Sequence, residues 1–500
     1  MELLNNIAFG FEQALTWQNL LYCFIGVLLG TFVGVLPGIG ALATISMLLP
    51  LTFYVPPTTA LVMLAGIYYG ANYGGSTASI LLNLPGTPAA AVACLDGYPM
   101  TKQGRAGVAL FMTTIASFVG ATLGILIFTF AAPALAEVAL AFGPAEYFAM
   151  MLLGLIAAST LSTGSPVKGI AMVLLGLCLG MVGTDVQTGQ QRYAFNVPEL
   201  SDGLPLVAMA MGLFGISEVI NSINRMRDQK RSDRPVVTLR SMLPTADDWK
   251  RSFWPMIRGT GVGGFFGALP GTGQAVASFM AYAVEKKVAR QPERFGKGAI
   301  EGVTAPESAN NAACQTAFIP TLTLGIPGDV TMALMLGAMI IAGIQPGPRL
   351  MTEHPEVFWG LLASFWIGNV LLVILNIPLV GLWVRMLQIP YRLLFPAVLM
   401  FICIGVFSVN NNAFDIYMVL IFGVLGYFLI LLRFEPAPLL LGYVLGPLME
   451  EHLRRAMLLS RGDATVFITR PISAAFVSIT AILLIMAIVA AVRSAVARRA

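Results

Sequence analysis

Leu36-Pro37-Gly38-Ile39-Gly40 recurs in the second half of the chain as Leu269-Pro270-Gly271-Thr272-Gly273. Each copy is followed by a small, Asn-containing polar stretch and then by a second Pro-Gly. In the first copy these are Ala71-Asn72-Tyr73-Gly74-Gly75-Ser76-Thr77 and Leu84-Pro85-Gly86-Thr87. In the second they are Ser308-Ala309-Asn310-Asn311 and Ile326-Pro327-Gly328-Asp329. Interrupting a helix inside apolar surroundings frees backbone N–H and C=O groups that a continuous helix consumes. Half-helix N-termini offer donors and partial positive charge to a carboxylate, while unwound carbonyls can ligate a cation. Glycine permits positive φ and close backbone approach, and proline fixes the break.

This chemistry selects candidate residues. Backbone at Pro37, Gly38 and Gly40 and at Gly271, Thr272 and Gly273 would contact carboxylates, with Asn72, Gly75, Ser76, Ser308, Asn310 and Asn311 completing the site. Uncharged amides and hydroxyls can do this without the desolvation cost of a buried arginine. The turns Pro85-Gly86-Thr87 and Pro327-Gly328-Asp329 are candidates for a coupling cation, Na+ or H+. Asp329 reads equally as such a group or as the N-cap of a helix starting at Val330. Glu307, next to a basic loop, reads as an interfacial salt-bridge partner, and Asp96 closes the first copy. The bland alternatives are that Pro and Gly only kink membrane helices, and that the polar residues bond neighbouring helices for about 0.6 kcal/mol each. Four breaks in two matched pairs favour a binding site, since such pairs point to the substrate site of a secondary transporter.

The elements that position these residues are membrane segments. Of 500 residues, 57% are hydrophobic and 11% charged, against about 25% charged in soluble domains. Long apolar runs, not alternating segments, exclude a β-barrel. The pattern predicts an all-α polytopic membrane protein with about 11–12 transmembrane segments, each crossing ~30 Å of hydrocarbon. The runs are roughly 20–36, 41–55, 58–82, 106–131, 146–162, 166–183, 204–222, 258–283, 308–345, 357–383, 393–408, 416–432, 437–449 and 471–492.

Residues 1–222 form a first membrane repeat, 223–257 a basic linker and 258–500 a second repeat. The linker's Arg225, Arg227, Lys230, Arg231, Arg234, Arg240, Lys250 and Arg251 place it in the cytoplasm. Segment 258–283 is basic on both flanks and too short to cross twice, so it reads as a re-entrant hairpin turning at Pro270-Gly271. The matching hairpin, about 20–55, has no Lys or Arg on either flank and reads as opening outward, which makes the architecture a two-fold inverted repeat. Arg454, Arg455 and Arg461 fall outside on this topology, against the positive-inside trend.

Several function classes are disfavoured. There is no phosphate-binding Gly-x4-Gly-Lys-Ser/Thr loop, and His354 and His452 form no zinc-protease motif. Cys23, Cys94, Cys178, Cys314 and Cys403 are scattered singly and read as small core residues. Neither a signal peptide, a cofactor, a catalytic residue nor a nucleic-acid partner is expected. A passive anion channel and a non-transporting scaffold subunit are the alternatives to a carrier.

Gly34 through Gly40, Tyr68 through Ser76, Asn83-Leu84-Pro85-Gly86-Thr87-Pro88 and Glu307-Ser308-Ala309-Asn310-Asn311-Ala312 together resemble the large membrane subunit of the bacterial tripartite tricarboxylate transporters, the TctA family. The resemblance covers nearly the whole chain. It implies multi-pass residence in a bacterial inner membrane and import driven by an ion gradient. It also implies two partners: a small four-helix membrane subunit, and a periplasmic solute-binding protein that delivers a small carboxylate such as citrate or a related di- or aromatic acid.

Overall fold

The computed structural model describes residues 2–497 apart from 37–39, 162–164, 186–187, 218, 221–236 and 388–390. Pro37, Gly38 and residues 223–236 of the basic linker therefore lie outside the described residues. Helices dominate, as the apolar runs predict. The first part comprises α1 (Glu2–Ala14), α2 (Trp17–Val35), α3 (Gly40–Leu48), α4 (Pro57–Leu82), α5 (Ala93–Lys102), α6 (Ala106–Ala139), α7 (Pro144–Leu161), α8 (Pro166–Gly180) and α9 (Leu206–Ala210). After the linker come α10 (Ala246–Ala268), α11 (Gly273–Val288), α12 (Glu301–Thr316), α13 (Phe318–Leu324), α14 (Val330–Ile341), α15 (Leu350–Glu353) and α16 (Pro355–Asn376). The chain ends with α17 (Val380–Met386), α18 (Tyr391–Asn410), α19 (Ala413–Leu431), α20 (Pro436–Leu459), α21 (Val466–Thr469) and α22 (Pro471–Ala497). Among the described residues the sheet content is one antiparallel pair, Gly183–Thr184 with Gln191–Arg192.

Five helices among the described residues are long and apolar enough to cross a membrane: α2, α6, α16, α19 and residues Pro471–Val489 of α22. The rest fall short because Pro and Gly break them or because they carry polar residues. Those polar helices lie at the centre. Every residue of α4 from Thr59 to Leu81 is buried, as is every residue of α12 from Gly302 to Thr316. A helix with no exposed face must be surrounded by others.

Glycine stripes let the neighbours come close. On α2, Gly26, Gly30 and Gly34 press on the backbone of α4; a Cβ on Gly30 would stand 2.5 Å from the Ile67 carbonyl oxygen. On α10, Gly259, Gly263 and Gly267 press on α12; a Cβ on Gly263 would stand 2.1 Å from the Ala309 oxygen. The two stripes occupy equivalent places in the two copies, each leading into its Leu-Pro-Gly motif. Small residues at every fourth position are the usual means of close helix approach in a bilayer.

α10 and α11 fold back on each other about Pro270-Gly271. Arg258 forks onto Glu285 at 2.9 and 2.7 Å, pairing residues almost equally far from the turn. The arms run further than the 258–283 segment, because the end of the linker is already helical: Thr245 and Asp248 form a capping box at the start of α10. At the other end of the chain, α20 continues unbroken past Glu450. Arg454 pairs with Asp185 at 3.1 Å and Glu450 at 2.6 Å, Arg192 joins Glu450 at 3.0 Å, and Arg455 meets Glu451 at 2.5 Å. These partners offset the charges of Arg454 and Arg455, two of the three that stood against the predicted topology.

The stripe contacts predict Gly263→Leu to be severely destabilising, beyond the roughly 1–3 kcal/mol typical of overpacking, because backbone rather than a side chain must yield. Gly261→Ala, on the same helix with nothing within 4 Å, is expected to be neutral or slightly stabilising. Thermal midpoints of the two variants in detergent check this.

Candidate functional site

A cavity of about 470 Å³ opens where the breaks of both copies meet. From the first copy it is lined by the opening residues of α3 (Gly40 to Ala43), by Tyr68 and Asn72 of α4, and by Pro85-Gly86-Thr87-Pro88. From the second it takes Gln274 at the start of α11 and Val330 and Thr331 at the start of α14. Leu213, Phe214, Ser217, Ile430, Pro436 and Ala437 supply a mostly apolar wall.

The local geometry of the two copies matches in detail. Leu36 and Leu269 end their helices in extended conformation, each donating its N–H to the residue three before, at 3.1 Å in both cases. Gly40 and Gly273 restart the chain at φ +66° and +69°, where a side chain would be strained. Asn83 and Gly325, one in each copy, are left-handed C-caps at φ 57° and 68°. Thr87 and Asp329 then cap the next turns, accepting from the N–H groups of Ala90 at 3.3 Å and Met332 at 2.9 Å. Gly86 donates to the Gly75 carbonyl at 3.3 Å, and Gly271 to that of Gly328 at 3.0 Å, tying each turn to the interior.

None of the described residues lining the cavity is charged. Its polar character comes from Tyr68, Asn72, Thr87, Ser217, Gln274 and Thr331 and from the first turns of α3, α11 and α14, whose N–H groups lack intrahelical acceptors. The Gln274 Nε2 is buried with no hydrogen-bond partner. Asn72 Nδ2 donates to the Tyr68 carbonyl at 3.1 Å and lies 3.5 Å from Cys314 Sγ. Such a surface suits an anion: donors predominate and no fixed negative charge lies on it.

Of the residues expected from sequence, Gly40, Asn72, Pro85, Gly86 and Thr87 line the cavity. Gly75 lies behind it, where a Cβ would meet Thr87 at 3.1 Å. Gly273 sits beside Asp329, and Pro327 and Gly328 form the turn before it. Gly271 packs on the Gly154 carbonyl, and the Thr272 hydroxyl turns back to the carbonyls of Phe266 and Leu269. Asp329 is an N-cap, with its second oxygen accepting from the Tyr68 hydroxyl.

Ser76, Ser308, Asn310 and Asn311 do not line the cavity. Ser308 Oγ donates to the Ala305 carbonyl at 3.0 Å, and Asn311 Nδ2 to that of Glu307 at 3.0 Å. Asn310 is fully buried, and neither of its amide atoms has a partner. Ser76 donates to Glu307, which is 2% exposed and makes no ion pair among the described residues; this corrects its reading as an interfacial salt-bridge partner. Asp96 accepts from the Gly298 and Ala299 N–H groups at 2.8 Å and from Tyr282, anchoring the approach to α12. Tyr68 and Gln274 were not picked out from the sequence. Their signals were present: Tyr68 is one turn before Asn72, and Gln274 directly follows the second Leu-Pro-Gly motif.

Comparison with known proteins agrees with this architecture. Residues 20–441 match the model of the tripartite tricarboxylate transporter TctA family. The chain belongs to the TctA family. Two relatives come from Agrobacterium vitis. One is an "uncharacterized 52.8 kDa protein in TAR-I ttuC' 3'region", 53% identical over 496 residues, covering 99% of this chain and 98% of the relative. The other, an "uncharacterized protein in TAR-II ttuC' 3'region", is 60% identical over 232 residues, covering 46% of this chain and 96% of the relative. As a member of the TctA family, the chain is a multi-pass membrane subunit of a tricarboxylate transporter.

The Asp329 geometry yields a test. Asp329→Ala removes a cap, worth about 1 kcal/mol, and strands the buried Tyr68 hydroxyl at about 1–3 kcal/mol more. Asp329→Asn keeps one carbonyl oxygen for the cap, and its amide N–H can donate to the Tyr68 hydroxyl oxygen, so neither group is left without a partner. The alanine variant is expected to unfold at a clearly lower temperature than the asparagine variant in detergent melts.

Proposed function

We propose that this chain is the membrane-embedded carrier subunit that imports a small organic polycarboxylate using an ion gradient. The observation that carries the reading is the uncharged, donor-rich cavity between the two sets of helix breaks. Its volume lies within the ~300–1,000 Å³ common for small-molecule sites. Carboxylates of the substrate would lie against the first turns of α3 and α11, with Gln274, Thr331 and Thr87 donating to them and Asn72 joining by exchanging its weak contact with Cys314 for the substrate. Pro85-Gly86 and Pro327-Gly328 would hold the turns that shape the site, and Asp329 would fix Tyr68 at its edge.

The two copies would move relative to each other as inverted repeats, with α10–α11 a re-entrant hairpin turning at Pro270-Gly271. The matched local geometry at the two sets of breaks supports this, because alternating access needs two similar halves about one site. The subunit would work in a bacterial inner membrane, beside a small four-helix partner, and would receive its substrate, a tricarboxylate such as citrate or a related di- or aromatic carboxylate, from a periplasmic solute-binding protein.

The test is uptake of labelled citrate and a panel of dicarboxylates into proteoliposomes. These hold the chain and its small partner, with binding protein outside, an imposed Na+ or H+ gradient and no ATP. Accumulation that requires both the gradient and the binding protein is expected; downhill equilibration indifferent to both would overturn the proposal. In the same assay Asn72→Ala and Gln274→Ala should each raise KM about tenfold or more. A hydrogen bond to a charged group contributes about 1.5–3 kcal/mol, and about 1.4 kcal/mol is a factor of ten.

A further inference from the structure

Glu307 has no part in the site described above, yet it is the acidic side chain of α12 that lies deepest in the protein. It is 2% exposed. Its two carboxyl oxygens meet hydroxyls from two other helices: Ser76 of α4 at 2.5 Å and Ser117 of α6 at 3.3 Å. Among the described residues no Lys, Arg or His pairs with it. Four arginines on or beside the neighbouring elements are engaged elsewhere, Arg258 with Glu285, Arg251 and Arg294 with Glu301, and Arg105 with Asp248.

Few titratable groups reach the same depth. α4 brings Tyr73, which donates to Asn369 Oδ1 at 2.6 Å, and α12 itself brings Cys314. α5 and α11 bring Asp96 and Tyr282, bonded to each other nearer the start of α12. α10 presents glycines there, and α6 presents Ser117 and Gly120. An ionised carboxylate so enclosed lacks the counter-charge that would offset its desolvation, and two hydroxyls do not replace it. The group is balanced by a bound cation, and a proton is the one that fits. A proton needs no void, whereas a metal cation needs room for a shell of oxygens. The nearby void, which Ser76 borders, is only about 10 Å³, the space of a single water.

That void has a polar lining of Ser76, Thr77, Thr113, Thr114 and Asn376, and it reaches Met242 in the segment joining the two halves. Ser76 thus stands between Glu307 and this polar void. In the other direction, Glu307, Asn310, Asn311 and Cys314 follow one another at helical spacing along a single face of α12. Cys314 is 3.5 Å from Asn72, which lines the substrate cavity. The unpartnered amide of Asn310 lies within this polar stripe. We propose that Glu307 is the proton-binding group that couples transport to a proton gradient, through the polar face of α12. The proposal rests on the carrier reading above.

The complete system, with small partner and binding protein, separates the two. For unmodified protein, Glu307→Gln and Glu307→Asp, labelled-citrate exchange at equal pH is measured beside accumulation under an inward pH gradient and, separately, an inward Na+ gradient. If citrate is not taken up, the dicarboxylate that the unmodified protein accumulates is used instead. The unmodified protein is expected to accumulate substrate under the pH gradient. Glu307→Gln should keep exchange within about twofold while accumulation falls to the equilibrium level, and Glu307→Asp should recover part of it. A protonated-carboxyl infrared band that titrates with pH in the unmodified protein and is absent from Glu307→Gln would support the assignment without any transport assay.

The proposal is overturned if Glu307→Gln accumulates substrate as the unmodified protein does, or if the Na+ gradient alone drives uptake. Equal loss of exchange and accumulation in both variants, with no titrating band, also overturns it and marks Glu307 as structural. Absence of gradient-driven uptake by the unmodified protein would instead overturn the carrier reading, and this proposal with it.

Discussion

Backbone polar groups freed inside an apolar interior must find partners within the protein, because lipid supplies none. This chain breaks its helices at four matched places and meets the demand at each by a local device. Leu36 and Leu269 close the ends of α2 and α10 with tight N–H bonds, and Asn83 and Gly325 turn their helices off in the left-handed region. Thr87 and Asp329 cap the turns that follow. Gly86 and Gly271 bond across to interior carbonyls. Once these ends are satisfied, the first turns of α3, α11 and α14 can face a common cavity with donors to spare.

The closeness of the cavity to both copies depends on the glycine stripes. α2 could not lie against α4, nor α10 against α12, if Gly30 and Gly263 carried side chains, since each would meet a carbonyl oxygen. Tight packing places α4 and α12, buried from Thr59 to Leu81 and from Gly302 to Thr316, next to each other at the centre. Asn72 and Cys314 then meet, and so do Tyr68 and Asp329, each pair joining the two halves. A polar, unbroken interior of this kind transmits a change at one residue to its neighbours, because close-packed cores yield in discrete rearrangements rather than smoothly.

The breaks themselves were legible from sequence because Pro-Gly and Leu-Pro-Gly put two local tendencies side by side: proline disfavours continuing a helix, and glycine tolerates the positive φ seen at Gly40, Gly271 and Gly273. Gly40, Pro85 and Gly86, which belong to such breaks, line the cavity, the last two expected beside a cation rather than on this wall. The fate of Asn310 and Asn311 was not legible. Their residue types suit a binding site, but which side of α12 faces the cavity follows from how that helix is rotated against α6 and α10. Glu307 was misjudged for the same reason. A short distance in sequence from a basic loop says nothing about depth when the intervening helix runs inward.

By itself the sequence determined the membrane class, the doubled pattern of breaks and the family, since each rests on composition or on residues acting within a few positions of one another. The tertiary structure alone decided the register between the copies. Gly34 packs on Ala71 and Gly267 on Ala313, so the chain between a hairpin and the helix that packs on it is longer in the second copy than in the first. Tyr68 thereby corresponds to Asn310, and Asn72 to Cys314, whereas matching polar residue types pairs Asn72 with Asn310 or Asn311. Helix contacts are set by which surfaces interlock, and a longer connecting chain leaves no mark on either motif.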